Sequence, residues 1–417
     1  MPKNRLTIYI LLAMVLGVGV GFIVHNYSSP AFAASFAANI KLLGTIFIRL
    51  VQMIIAPLIF STLVVGIAKL GDLKTVGRVG GKAMLWFVSA SLVSLLLGML
   101  LVNEMQPGTH IDLSHADTNG LKDLTAKIPP FSISTFIEHV IPDSIFRALT
   151  ENAILQIVVF SVFFGVAAAS FGDYAKPLIK SLDIISHIVL KMVGYVMNFA
   201  PVGVFGSLCA IVAEKGLAIF NFYLIYYLSF LVGILLLWVV LSAAGFIILK
   251  RRMPALFNRI GNPLLVAFTT TSSEAVLPKL TEEMVRYGCQ DKIVSFILPL
   301  GYSFNLDGSM MYMTFASLSI AQAYHIPLDL GTQLTMLLVL MITSKGIAGV
   351  PRAALVVVLA TCGMFKIPPE GVALILPIDH FCDMLRTSTN VLGNALATAV
   401  VSKWEKALGP ETQPLKI

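Results

Sequence analysis

Pro377-Ile-Asp-His-Phe-Cys-Asp-Met-Leu-Arg-Thr-Ser-Thr-Asn-Val-Leu-Gly-Asn-Ala-Leu-Ala-Thr-Ala-Val-Val-Ser402 is a hydrophobic run near the C-terminus that carries Asp379, Asp383, Arg386, Asn390 and Asn394. Relative to the first of these, the others lie at offsets 4, 7, 11 and 15. At about 100° per residue all five fall within an arc of about 80°, a single polar stripe on one helical face. The remaining positions are largely Leu, Val, Ala and Ile. A charge at membrane depth costs about 3 kcal/mol even on lenient scales, so it is rarely kept without a partner or a task. The stripe reads as the wall of a site for a ligand that is both charged and hydrogen-bonding.

Working outward, the rest of the chain has the composition of a polytopic membrane protein. It has 417 residues, 57% of them hydrophobic and 12% charged, with a mean hydropathy of +0.88. Such a length allows eight to ten spans. The net charge of +7 lies on alternate loops rather than on one face, so it marks topology and not a nucleic-acid partner. Lys3 and Arg5 precede the first apolar run. Lys69, Lys74, Arg78 and Lys82 lie between the second and third, Lys250, Arg251, Arg252 and Arg259 after the sixth, and Lys403 and Lys406 after the last. Both termini are therefore expected on the cytoplasmic side of a bacterial inner membrane. The long loop 103–150 on the opposite side is acidic, with Glu104, Asp112, Asp117 and Asp123. Leu6–Val24 is expected to be a retained span. The only small-residue cleavage candidate, Ala31 to Ala34, is weak. Cys209, Cys289, Cys362 and Cys382 form no CxxC pair and read as small core residues.

The two halves are built differently. Before residue 250 the uncharged runs are long enough to cross unaided: Leu6–Val24, Leu50–Ala68, Ala83–Val102, Ala153–Phe171, Met192–Ala213 and Leu217–Leu249. After it they shorten and break, at Thr269-Thr-Thr-Ser-Ser-Glu274 and at Ser344-Lys-Gly-Ile-Ala-Gly-Val-Pro351. Breaks of that composition survive at membrane depth only where the freed backbone is buried in protein or lines a polar cavity. Two interrupted segments, each followed by a helix with intramembrane Asp and Asn, point to an inverted repeat around a midplane site. The reading is two re-entrant hairpins, 254–287 and 329–366, with an unwound helix at Asn305-Leu306-Asp307-Gly308. The alternative is ordinary loops between short tilted spans.

Four motifs carry a resemblance: Thr-Thr-Ser-Ser-Glu-Ala-Val-Leu-Pro (270–278), Gly-Tyr-Ser-Phe-Asn-Leu-Asp-Gly-Ser (301–309), Ser-Lys-Gly-Ile-Ala-Gly-Val-Pro (344–351) and Asp-Met-Leu-Arg-Thr-Ser-Thr-Asn-Val-Leu-Gly-Asn (383–394). In this order, across nearly the whole chain, they resemble the dicarboxylate/amino acid:cation symporter family, which includes the glutamate transporters. In wording they are most like bacterial proton/glutamate symporters. The resemblance implies an all-α polytopic fold of eight transmembrane helices plus the two hairpins, in a homotrimer that works as an elevator. Residues 1–81 and 108–216 would form the scaffold. Residues 82–107 and 217–417 would form the transport domain, with the second hairpin as extracellular gate.

The resemblance also implies roles. Asp383 would receive a substrate ammonium and Arg386 its side-chain carboxylate, in agreement with the stripe, since Arg offers a planar fork and Asp accepts ammonium hydrogens. The competing reading is a purely structural ion pair between the two. Ser272, Ser273, Gly349 and Val350 would bind the α-carboxylate through backbone NH groups, and Ser309, Thr387 and Asn390 would add polar contacts; Ser and Gly at such tips also serve simply as turn formers. Asn305, Asp307, Asn390 and Asn394 would be the sodium ligands if sodium is used. This chain departs from the sodium pattern, with Ala90 beside Ser91 where a Thr is expected and Asn394 where a carboxylate is expected. Proton coupling through Glu274, Asp307 and Asp383 is therefore favoured, with no other cofactor. Arg352 reads as a snorkelling side chain, with a substrate or anion contact as the alternative; Arg49 and Gln52 read as snorkelling or trimer contacts, His380 as packing rather than a proton relay, and Lys345 as a polar cap.

The favoured function is uptake of L-glutamate and L-aspartate. Transport of C4-dicarboxylates is the runner-up, and Asp383 argues against it because a carboxylate repels a substrate without an ammonium. An intramembrane enzyme is disfavoured, for the chain has no His-Glu-x-x-His or Gly-x-Ser-x-Gly motif. An anion pore lined by Arg386 and Arg352 is compatible with transport.

Overall fold

A computed structural model describes residues 3–70, 73–111, 137–138, 140–217, 219–344, 353–368 and 371–411. Helix α1 (Lys3–Tyr27) contains the first apolar run, and α2 (Pro30–Leu70) the second. Helix α2 has 41 residues, so at about 1.5 Å per residue it is twice as long as a bilayer core is thick. Its first turns take in Ala31 to Ala34, and Arg49 and Gln52 are exposed along it. Helix α3 (Leu73–Met105) starts well upstream of the expected boundary at 81/82. It is followed by a 3-10 turn (Pro107–His110), then α4 (Ile145–Thr150) and α5 (Ile154–Ser170). The expected fifth span, Met192–Ala213, is instead a pair, α6 (Lys176–Met197) and α7 (Ala200–Lys215), bent by 51° where Pro201 opens the second helix.

Helix α1 packs on α7 through its glycines. A Cβ at Gly21 would stand 2.7 Å from the Cys209 carbonyl oxygen, so only a bare backbone lets the two helices meet there. All four cysteines are buried and unpaired, as small core residues should be.

Helix α8 (Ile219–Leu249) leads through a 3-10 turn (Lys250–Arg252) into α9 (Met253–Thr270), whose end at Thr271 is left-handed (φ 50°). A 3-10 turn (Glu274–Val276) opens α10 (Leu277–Tyr287), which stops at left-handed Gly288 (φ 109°). Residues 254–287 therefore hold a helix, a break at 271–273 and a second helix, the element order expected of the first hairpin. Next come α11 (Asp291–Phe304) and α12 (Asp307–Ala323), separated by non-helical Asn305 and Leu306, the expected unwinding. Helix α13 (Leu330–Thr343) is capped by Asp329, whose Oδ2 accepts from Gly331 N at 3.0 Å. It is followed by α14 (Ala353–Met364), and the tip between them, with Lys345, Gly349, Val350 and Arg352, lies outside the described residues. Helix α15 (Val372–Trp404) carries the stripe.

Among the described residues, four stretches are long and apolar enough to cross a membrane: Ile8–Tyr27, Pro30–Ala68, Lys74–Met105 and Tyr223–Thr270, with the bent pair as a fifth. Helices α5 and α13 are too short, at 17 and 14 residues. Helix α15 has the length, at 33 residues, but its stripe keeps it out of that set. It is also enclosed on nearly all sides, between α8, α9, α11 and α12. An apolar stripe would suffice for a helix facing lipid; this one is enclosed by protein, so its polar groups meet other protein groups.

After Trp404 the chain forms a short strap. Gln290 N donates to Ala407 O (3.0 Å) and Gly409 N to Gly288 O (2.8 Å), tying residues 407–409 to the junction of α10 and α11. Arg252 reaches the strap through Nη1 to Gly409 O at 2.6 Å, and Arg259 pairs with Glu411 at 3.0 Å. On the other side Glu405 takes Arg78 (2.9 Å) and Lys82 (2.7 Å) from the start of α3.

Candidate functional site

The stripe of α15 meets the broken helix α11–α12. Arg386 is 3% exposed and lies between two carboxylates of its own helix. Its Nε donates to Asp383 Oδ1 at 2.7 Å and its Nη1 to Asp379 Oδ1 at 3.0 Å. From α12, Tyr312 donates its hydroxyl to the same Asp379 oxygen (2.7 Å) and presents its ring face to the guanidinium, 4.5 Å from the centroid. Burying a lone guanidinium would be prohibitive; two carboxylates and a ring make it tolerable. The local sequence achieves this because offsets of four and seven stack residues on one face.

The ion pair weighed in the sequence is therefore real, and it has a third member. Asp379 shares the arginine with Asp383. Formal charges of one cation and two anions leave the cluster at −1. Asp383 Oδ1 takes both Arg386 and the Thr387 hydroxyl (3.0 Å), while its Oδ2 has no hydrogen bond among the described residues. Nη2 of Arg386 likewise has no hydrogen bond there.

One turn further, Asn390 and Ser309 hold each other reciprocally. Ser309 N donates to Asn390 Oδ1 (3.2 Å), and Asn390 Nδ2 donates to Ser309 Oγ (3.0 Å), fastening the start of α12 to α15. Beyond them, Asn305 Nδ2 lies 3.2 Å from Asp307 Oδ2 and 3.4 Å from Asn394 Oδ1, all three residues buried. Glycine makes this contact possible: a Cβ at Gly308 would fall on the Arg386 carbonyl, and one at Gly393 on the Asp307 carboxylate. Ala90 and Ser91 are both buried on α3.

The structure thus places three hydrogen-bonded groups along the α12–α15 contact: Asp383, Arg386 and Thr387; Ser309 and Asn390; and Asn305, Asp307 and Asn394. It does not join the first hairpin tip to these groups by any described hydrogen bond. Ser272 Oγ accepts from Ala275 N (3.2 Å), the turn-forming use, and Ser272, Ser273 and Glu274 are half-buried. The hairpin arm reaches α15 one turn away, where Ser388 Oγ donates to Leu264 O at 3.2 Å. His380 packs edge-on against Phe381. Sequence reasoning missed Tyr312, whose aromatic ring in an apolar helix reads as core, and Trp238, whose Nε1 donates to Thr389 Oγ1 at 2.8 Å from α8.

The profile of the Sodium:dicarboxylate symporter family matches residues 6–404. The chain belongs to that family. Among its relatives, the "C4-dicarboxylate transport protein" of Brucella anthropi is 40% identical over 413 residues, covering 97% of this chain and 90% of that one. The "Proton/sodium-glutamate symport protein" of Geobacillus stearothermophilus is 37% identical over 409 residues, covering 97% and 96%. The "Proton/glutamate-aspartate symporter" of Bacillus subtilis is 38% identical, again over 97% and 96%. Members of the Sodium:dicarboxylate symporter family are ion-coupled secondary transporters of small molecules, not enzymes, and they are membrane proteins. This symporter's helices and its buried charged stripe accord with that.

Proposed function

We propose that this symporter takes up acidic amino acids, L-glutamate and L-aspartate, in symport with protons. The carrying observation is that, among the described residues, neither Asp383 Oδ2 nor Arg386 Nη2 has a hydrogen bond. An ammonium on the first and a side-chain carboxylate on the second complete both valences, and the ammonium offsets the site's excess negative charge. A substrate with two carboxylates and no ammonium would bring charge −2 to a cluster already at −1, which disfavours the C4-dicarboxylate reading suggested by the name of the Brucella relative. Ser272, Ser273, Gly349 and Val350 would supply the α-carboxylate contacts, and Ser309, Thr387 and Asn390 the rest of the wall.

For coupling, Asn305 places an amide N–H against Asp307 and Asn394, where a hard cation would need oxygen donors facing inward. That favours the proton over sodium. Glu274, half-buried and without an ion pair among the described residues, is the first candidate carrier, and Asp307 the second. Asp383, held to Arg386, serves the substrate. Eight spans and two hairpins, with residues 82–107 and 217–417 moving as an elevator against a trimeric scaffold of 1–81 and 108–216, remain the preferred architecture. The inner membrane, with both termini cytoplasmic, remains the preferred location. Purified protein in liposomes should accumulate labelled glutamate under an inward proton gradient without sodium. Uptake that appears only with inward sodium would refute the proton assignment.

A further inference from the structure

The corner between α8 and α9 has two features that the transport site does not use. The first is an apolar groove of about 590 Å³ formed by Ala243, Phe246 and Ile247 of α8 and Met253, Pro254 and Phe257 of α9. Phe246 is 57% exposed and Ile247 74% exposed. Further along the same seam, a second cavity of about 330 Å³ opens between Leu231 and Trp238 of α8 and Leu264 of α9. The α8–α9 seam therefore leaves apolar space at two levels.

The second feature is the turn that closes the groove. Lys250 to Arg252 form the 3-10 turn joining its two walls, with Lys250 left-handed at φ 52°. Arg252 turns inward, to Gly409 and Tyr287. Lys250 and Arg251 are exposed and make no ion pair among the described residues. Two cations without an ion pair among the described residues thus stand at the turn that closes an apolar groove. A polar solute has no use for such a groove, and a neutral lipid has no use for the cations.

We propose that this corner binds one anionic glycerophospholipid, its phosphate on Lys250 and Arg251 and an acyl chain in the α8–α9 seam. The binding itself is independent of the proposed substrate and coupling ion; only the choice of the cytoplasmic leaflet rests on the topology above. Because α9 is the first arm of the hairpin, the bound lipid holds that arm against α8.

The test uses the full-length protein in detergent, offered phosphatidylglycerol or phosphatidylcholine of matched chains, with bound lipid counted by native mass spectrometry. The wild type should retain one phosphatidylglycerol in preference to phosphatidylcholine. The double variant Lys250→Gln, Arg251→Gln should lose that preference by about tenfold to thirtyfold, the scale of two basic side chains at a lipid head group. Ala243→Trp, which fills the groove from an exposed position, should lower retention of both lipids. Equal retention of the two lipids by the wild type, or undiminished phosphatidylglycerol on the double variant, overturns the charge assignment. Undiminished retention by Ala243→Trp overturns the seam. Thermal unfolding of each variant separates these outcomes from misfolding.

Discussion

Arg386 is the residue on which the site depends, and its neighbours are unequal. Asp379 is buried and takes both Arg386 and Tyr312, so its work is to hold the guanidinium; Asp383 keeps one oxygen open. Asp379→Asn should therefore destabilise the fold, by about 3–5 kcal/mol for a broken buried pair, measured as a fall in melting temperature. Asp383→Asn, at a side chain 22% exposed, should lower melting less than Asp379→Asn does, while lowering glutamate affinity by about 100-fold, near the upper range for a charged hydrogen bond. Equal loss of melting temperature in both variants would make Asp383 structural. Gly393→Ala should cost about 1–3 kcal/mol by overpacking against Asp307, checked by thermal unfolding, and an unaltered melting point would show the contact to be loose. The stripe was legible because helical periodicity aligns it and buried charge is costly. Tyr312 was not, because nothing in an apolar helix distinguishes a ring that packs from one that orients a guanidinium.

At the scale of elements, the breaks were legible and the lengths were not. Thr271, Asn305 and Leu306 leave helical geometry inside the Ser/Thr- and Asn/Gly-rich segments that announced them. Helix α2 runs far beyond its apolar stretch, because Lys41 and Arg49 interrupt the hydropathy without interrupting the helix. The strap at 405–411 had no sequence signature, since its partners Arg78, Lys82, Arg252, Arg259, Gly288 and Gln290 lie far away in the chain. Its charged end titrates. Glu405, outside the membrane, is held below the ordinary carboxylate range chiefly by its hydrogen bond to Arg78, helped by Lys82. A lowered folded value means the latch contributes above the unfolded value of about 4.3 and is lost as pH falls through the lower one. Glu405→Gln should therefore lower the melting temperature slightly at pH 7, the scale of an exposed ion pair being about 1 kcal/mol or less. The wild-type and variant curves should converge on acidification, and a gap that persists at pH 3 would place the latch elsewhere.

For the whole molecule, the enclosure of α15 by both arms of the broken helix and by α9 concentrates the charge in its interior, while α1, α2 and α8 present apolar faces outward. That division suits a carrier whose cargo is charged and whose exterior is lipid. The family membership leaves two cargo classes among the relatives' names, and the proposed ammonium contact at Asp383 is what separates them. The most direct measurement is equilibrium binding to the purified symporter, by calorimetry at neutral pH, of L-aspartate and of succinate, which share both carboxylates and differ by the ammonium. The account predicts tight binding of L-aspartate and at least a hundredfold weaker binding of succinate, a gap that closes in Asp383→Ala. Succinate binding as tightly as L-aspartate in the wild type would contradict it.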